Sequence, residues 1–139
     1  MIANMRLALM LGIMLPLTVA LMPIQYAAIR FGWRLSKNLP RWWHRLLAKM
    51  IGLKISVNGE LAADRPLMLV CNHVSWSDII VLGSVAEVCF IAKKEVAKTP
   101  FAGLLAMLQR SIFVVREEKR RSADQAREVA ERLRSGDVI

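Results

Sequence analysis

Residues 7–29 carry no charge at all and are bounded by Arg6 and Arg30. An apolar run of that length suffices for a helix across a bilayer, which needs about 20 residues. In lipid the backbone must satisfy its own hydrogen bonds, so a helix is the conformation such a segment can take. Pro16 and Pro23 within the run predict a kink or an interruption, and Gln25 with Tyr26 makes its end more polar. The run is too long for an ordinary cleaved signal peptide, and the segment after it remains amphipathic.

Arg30, Arg34, Lys37, Arg41, Arg45 and Lys49 come next, interleaved with Phe31, Trp33, Trp42, Trp43, Leu46, Leu47, Met50 and Ile51. By the positive-inside rule this side of the segment faces the cytoplasm. Pro40 suits a first helical turn and Gly52 a stop, which predicts an amphipathic helix over residues 40–52. Trp43, Leu46, Leu47, Met50 and Ile51 share one face, which suits the membrane interface, with packing on the domain as the alternative. His44 belongs to this segment and reads as structural or interfacial. Residues 1–52 are therefore expected to anchor the chain in a cell membrane, with residues 53–139 on the cytoplasmic side.

The chain has 139 residues, 55% of them hydrophobic, with 20 Lys+Arg against 11 Asp+Glu for a formal charge of +9. That length holds one modest domain beside an anchor. The charge favours anionic partners, of which lipid headgroups, phosphorylated substrates and an acidic carrier protein fit a membrane-bound chain. Nucleic acid does not fit, since neither a zinc finger nor an aromatic RNA-binding signature is present. Cys71 and Cys89 belong to no CxxC pair and lie in apolar runs, so both are expected to be buried and reduced.

Beyond Gly52, short apolar runs alternate with helical stretches, the pattern of an α/β domain. Strands are predicted over residues 53–57, 67–71, 88–92 and 112–115. Helices are predicted over residues 79–82, after the polar segment, over 100–108 and over 122–135. Ser122 with Gln125 makes a capping box, Asn58-Gly59 a turn, Gly136 a helix stop, and Asp137-Val138-Ile139 the start of a further strand.

The chemistry concentrates in Asn72-His73-Val74-Ser75-Trp76-Ser77-Asp78. An imidazole titrates near neutral pH, so His73 can accept a proton from an attacking hydroxyl and return it to a leaving group. A carboxylate on the far ring nitrogen would fix its tautomer, and Asp78 is the nearest candidate. Positions five apart on a helix differ by roughly 140° in direction, so the pair requires a turn between them. The bare pair is a weak signal. Ser75 and Ser77 sit in no G-x-S-x-G elbow, and Cys71, His73 and Asp78 lack the further ligand that a zinc site needs.

Asn72-His73-x4-Asp78 after an apolar strand resembles the first signature of the glycerolipid acyltransferases, in particular the 1-acyl-sn-glycerol-3-phosphate acyltransferases. Lys93, Val96, Gly103 and Arg116 stand at the family's K-x2-L-x6-G-x12-R spacing, with valine for leucine. Phe90 to Glu95 and Ile112 to Arg116 also look like the family's, although Arg110 and Ser111 stand where it commonly has glycine. The resemblance implies a mixed sheet flanked by helices, behind a hydrophobic anchor. It implies His73 as general base, Asp78 as its orienting partner, Asn72 as part of the motif, and Lys93, Gly103 and Arg116 around an acceptor phosphate.

The implied activity is transfer of a fatty acyl group from an acyl carrier protein or coenzyme A thioester to a lysophospholipid hydroxyl. It proceeds without metal or other cofactor and without a covalent acyl-enzyme. Lysophosphatidic acid is the leading acceptor, and another lysolipid such as a lyso-ornithine lipid the alternative. The family's glutamate-glycine-threonine motif is expected after residue 139, so the chain reads as the front part of such an enzyme. A third reading is a membrane-bound fragment without activity of its own.

Overall fold

In the computed structural model, Pro16 and Pro23 leave the first helix uninterrupted, and α1 runs Ile2–Arg30. The structure describes the backbone of residues 2–115 and 119–139, and side chains over residues 7–115 and 123–139. The chain forms two compact units. One comprises Met1–Ser56 and Trp76–Val85, the other Val57–Ser75 and Ala86–Ile139.

The first unit is helical. Over Leu7–Arg30, α1 is apolar on all sides, and Leu7, Leu9, Leu11, Ile13, Leu15, Val19 and Ile24 are exposed. A helix apolar all round is stable buried in a core or in a membrane, and little of this one is buried. Gly32, at φ +67°, ends it, with the Trp33 N–H bonded to the Ala28 carbonyl at 2.9 Å.

Helix α2 then runs Leu35–Met50, starting five residues earlier than the sequence predicts, so that Pro40 lies inside it rather than in its first turn. The reason is visible in the neighbouring helix. Pro40 has no N–H, which leaves the Ser36 carbonyl without its helical donor. The Gln25 side chain of α1 supplies one, with Nε2 donating to the Ser36 carbonyl at 2.9 Å, both residues being buried. A second link ties the helices farther along. The Trp43 Nε1–H donates to Thr18 Oγ1 at 2.8 Å, and the Thr18 hydroxyl donates to the Met14 carbonyl. The face of α2 expected on a membrane surface is thus half-buried within this unit, and among the tryptophans of residues 30–50 Trp33 and Trp42 are the ones open to solvent. Helix α3, Ser77–Val85, completes the unit and packs on α2.

The second unit holds a small parallel sheet. Strand β1 (Ile91–Lys93) pairs in parallel with β2 (Ile112–Val114), Ile91 opposite Ile112. Residues 137–139 extend it on the other side. Val138 bridges in parallel to both Leu67 and Val88, the Leu69 N–H reaches the Ile139 carbonyl, and the Cys89 N–H reaches the Val138 carbonyl. The expected strand start at Asp137 is therefore present, as a short segment between residues 67–69 and 88–89. All pairings among the described residues are parallel.

Two small cores lie on this sheet. Ala86, Val88 and Val138 gather Leu67, Leu69 and Phe90, while Cys89, Ile112 and Ile139 gather Val114, Val129 and Leu133. A 3-10 turn (Lys94–Lys98) and α4 (Ala102–Leu108) connect β1 to β2, and α5 (Lys119–Arg134) follows.

Several sequence-based expectations change. Residues 53–56 alternate in burial, as a strand would, but residues 53–57 pair with nothing in a ladder among the described residues. Residues 67–71 are not buried on both faces. Leu67 and Leu69 turn inward onto Ala86, Val88 and Val138, while Met68, Val70 and Cys71, on the other side of the segment, are exposed. Cys89 is buried as expected, and its thiol donates to the Arg110 carbonyl. Helix α5 begins at Lys119, so Ser122 lies within it rather than capping it. Gly136, at φ +82°, does stop it, the Asp137 N–H closing on the Arg132 carbonyl.

Candidate functional site

A parallel sheet presents the carboxyl ends of all its strands at one edge, and ligands of α/β proteins bind there. Residues 67–69 lead out of that edge in the second unit, and Asn72 and His73 follow as an exposed, irregular segment. Lys93, the last residue of β1, leaves the sheet at the same edge. His73 and Lys93 are therefore brought to one side by the sheet's parallel sense. Lys93 is half-exposed, and its ammonium stands 3.8 Å from a Glu95 carboxylate oxygen. An exposed pair of this kind is weak, so the ammonium remains available to another anion.

After His73 the chain bends at Ser75 and turns at Trp76, and α3 begins at Ser77. The turn required between His73 and Asp78 is thus present. Asp78 lies in the first turn of α3, where the helix N-terminus favours a carboxylate. His73, Ser75, Ser77 and Asp78 each take part in a hydrogen bond, ion pair or other electrostatic contact. His73 belongs to the second compact unit and Asp78 to the first.

Gly103 is buried, and its neighbourhood explains why no other residue stands there. A Cβ at this position would lie 2.4 Å from the Ala97 carbonyl oxygen and 2.8 Å from that of Val96. The missing side chain lets α4 start directly against the 3-10 turn that follows Lys93. The nearest atoms are backbone, so what Gly103 governs is the path of the loop between β1 and β2. Val96 is exposed on that turn. Arg116 lies outside the described residues, two positions beyond the end of β2. A depression of about 260 Å³ beside β2 is lined by Lys94, Phe113, Val115, Asp124, Gln125 and Glu128, and contains neither His73 nor Lys93.

Two polar arrangements were not foreseen from the sequence. Asp137 is almost completely buried and its Oδ2 accepts from Arg110 and from Arg132. In the first unit the imidazole of His44 is buried between α2 and α3, with Nδ1–H donating to the Pro40 carbonyl at 2.7 Å. Burial pushes the His44 pKa below its ordinary value, and the bond to Pro40 opposes this only in part. The signal for that contact was Gly83, a glycine inside a helix with no turn to explain it.

Residues 54–139 match the model of the Acyltransferase family. Over 134 residues, 96% of this chain and 46% of the relative, the sequence is 43% identical to the lyso-ornithine lipid O-acyltransferase of Rhizobium meliloti (strain 1021). It is 41% identical over its whole length to the protein of the same name from Brucella abortus (strain 2308), covering 52% of that protein. The 1-acyl-sn-glycerol-3-phosphate acyltransferase of Neisseria gonorrhoeae is 33% identical over 68% of this chain and 36% of its own. The chain spans about half the length of the first two relatives. No solved structure matches.

Proposed function

Because the chain belongs to the Acyltransferase family, we propose that the protein it forms transfers a fatty acyl group from a thioester to the hydroxyl of a lysolipid at a membrane surface. His73 takes the proton of the acceptor hydroxyl, whose oxygen attacks the thioester carbonyl. The ester C–O bond forms, the C–S bond breaks, and the proton on His73 passes to the departing thiolate. Asp78 orients the imidazole and stabilises its charged form. The donor is an acyl carrier protein or coenzyme A thioester, and the step requires no metal and no acyl-enzyme.

The observation that carries this reading is the match of residues 54–139, which contain the whole N-H-x4-D signature, to the family. The exit of His73 and Lys93 at one sheet edge supports it. The exposed apolar length of α1 and the cations after it support membrane attachment with the catalytic region on the cytoplasmic side. Lys93 and Arg116 hold the acceptor's anion, Lys93 as a point charge and Arg116 as a bidentate fork.

For the acceptor, the two relatives matched over nearly the whole chain favour a lyso-ornithine lipid, and the N-H-x4-D and lysine-arginine signatures keep lysophosphatidic acid as the second reading. Either acceptor offers those cations an anion, a phosphate in one case and a carboxylate, where the ornithine carboxyl is free, in the other. In the full-length protein, His73→Ala is expected to lower acyl transfer at least a thousandfold, with membrane association unchanged. Activity within tenfold of wild type in that variant refutes the mechanism. Parallel assays with the two acceptors decide between them.

A further inference from the structure

Helix α3 has little to hold it in place by itself. Its nine residues, SDIIVLGSV, are fewer than an isolated helix needs, and four β-branched residues with an interior glycine lower its propensity further. Its position is set by what it packs against, and within its unit that is α2.

The grip is specific. At Gly83 a Cβ would come within 2.8 Å of both Cγ and Nδ1 of His44, so the imidazole lies directly on the α3 backbone. That ring is itself pinned, being buried and bonded to the Pro40 carbonyl. One residue farther on, the Ser84 carbonyl accepts from Arg45 Nε at 2.8 Å and, more weakly, from Arg41 Nε at 3.5 Å. Two guanidinium groups at the C-terminal end of a helix also complement its dipole. Ile80 is buried as well. The Gly83 and Ser84 contacts lie toward one end of a rod about 13 Å long, and Asp78 stands at the other end, with Ile80 between them.

We infer that His44 and Arg45 of α2 are positioning residues for Asp78: they fix α3 through Gly83 and Ser84, and make the anchoring segment part of the catalytic framework rather than a tether. The inference rests on the reading of Asp78 as the orienting carboxylate. It has a consequence for the chemistry, because a displacement near 1 Å of a catalytic group can cost about a hundredfold in rate.

The test uses the full-length protein in membranes or mild detergent. Gly83→Ala puts a methyl group where the His44 ring lies, and is expected to lower kcat by about 10- to 100-fold with KM for the thioester within about twofold. The acid limb of its kcat/KM profile should move to lower pH, as it should in Asp78→Asn, because the general base has lost its partner. Adding His44→Ala to Gly83→Ala removes the clash and should recover part of the lost kcat, no further than the level of His44→Ala alone, which should itself lie below wild type. Arg45→Met should lower kcat about tenfold and Arg45→Lys should restore much of it, which keeps the inference testable if Gly83→Ala fails to fold. Wild-type kcat and pH profile in Gly83→Ala or in Arg45→Met, with His73→Ala inactive, overturn the inference alone. So does wild-type kcat in His44→Ala. An active His73→Ala variant overturns the acyl-transfer reading instead.

Discussion

Replacing Asp137 with alanine should loosen the second unit at one identifiable place. The Asp137 side chain is 2% exposed, and its Oδ2 accepts from Arg110, 16% exposed, and Arg132, 32% exposed. Breaking a fully buried pair by removing one partner costs about 3–5 kcal/mol, because the other charge stays behind without compensation. Arg132 can turn to water, so its share is that of a surface pair, at most about 1 kcal/mol. Arg110 cannot do so without moving the entry to β2. The net expectation is about 2–3 kcal/mol, which raises the opening constant of the segment about 30- to 150-fold.

Hydrogen exchange reads this directly. The amides of Leu69, Cys89 and Ile139 are bonded to or from residues 137–139 and its neighbours, so their exchange should accelerate by about that factor. Amides of α2, in the other unit, should keep their rates. Exchanging both charges for apolar residues, Asp137→Leu with Arg110→Met, should recover much of the protection, since no buried charge is then left alone. Unchanged protection at Leu69, Cys89 and Ile139 in Asp137→Ala would refute the argument, as would uniform acceleration along the whole chain.

Two further outcomes rest on the packing. Gly103→Ala sets a methyl 2.4 Å from the Ala97 carbonyl oxygen, which is backbone and cannot swing aside. A loss of about 1–3 kcal/mol in stability, read from the urea midpoint, is expected, with weaker acceptor binding as the loop after Lys93 shifts. His44 is buried neutral, so its folded pKa lies below the value it takes when unfolded. The unfolded chain therefore binds the extra proton first, and stability present above about pH 6.5 declines as pH falls from there, by up to about 1.4 kcal/mol per unit until the folded pKa is reached. The decline between about pH 7.5 and 5.5 should shrink in His44→Gln, measured by α3 amide exchange. Identical slopes in the two proteins would count against it.

Local signals carried most of the architecture. The charge-free run gave α1 because length and hydropathy alone decide that case, and Gly136 gave the end of α5 because its positive φ is a property of the residue. Pro40 misled for an equally physical reason. A proline is read as a first-turn residue when the carbonyl it orphans has no other donor, and here Gln25, eleven positions before Ser36, supplies one from another helix. The strand expected over residues 67–71 failed in burial rather than in place, since what packs over each face is decided by residues far along the chain, Val138 among them. As candidates, His73, Asp78 and Lys93 could be picked out because their spacing is a chain property. The grip of His44 on Gly83 and the Arg110–Asp137–Arg132 group were not, because each joins residues that are distant in sequence, and a glycine inside a helix signals a close approach without naming its partner.

Arg110 shows how such a group can replace a residue that the family pattern leads one to expect. It stands where glycine is common, and its φ is +64°, the left-handed conformation that glycine adopts without penalty. A side chain there costs about 1 kcal/mol or more. Here the side chain brings a compensation that glycine lacks. Its guanidinium meets the buried Asp137, while its carbonyl accepts from the Cys89 thiol and from Arg132. The strained residue is thereby held from both sides at the entry to a strand of only three residues. A strand that short has little register of its own, so its entry point sets where Val114, and the chain leading to Arg116, leave the sheet. Glycine would relax the backbone and release that control, which is why the ion pair and the strained conformation belong together.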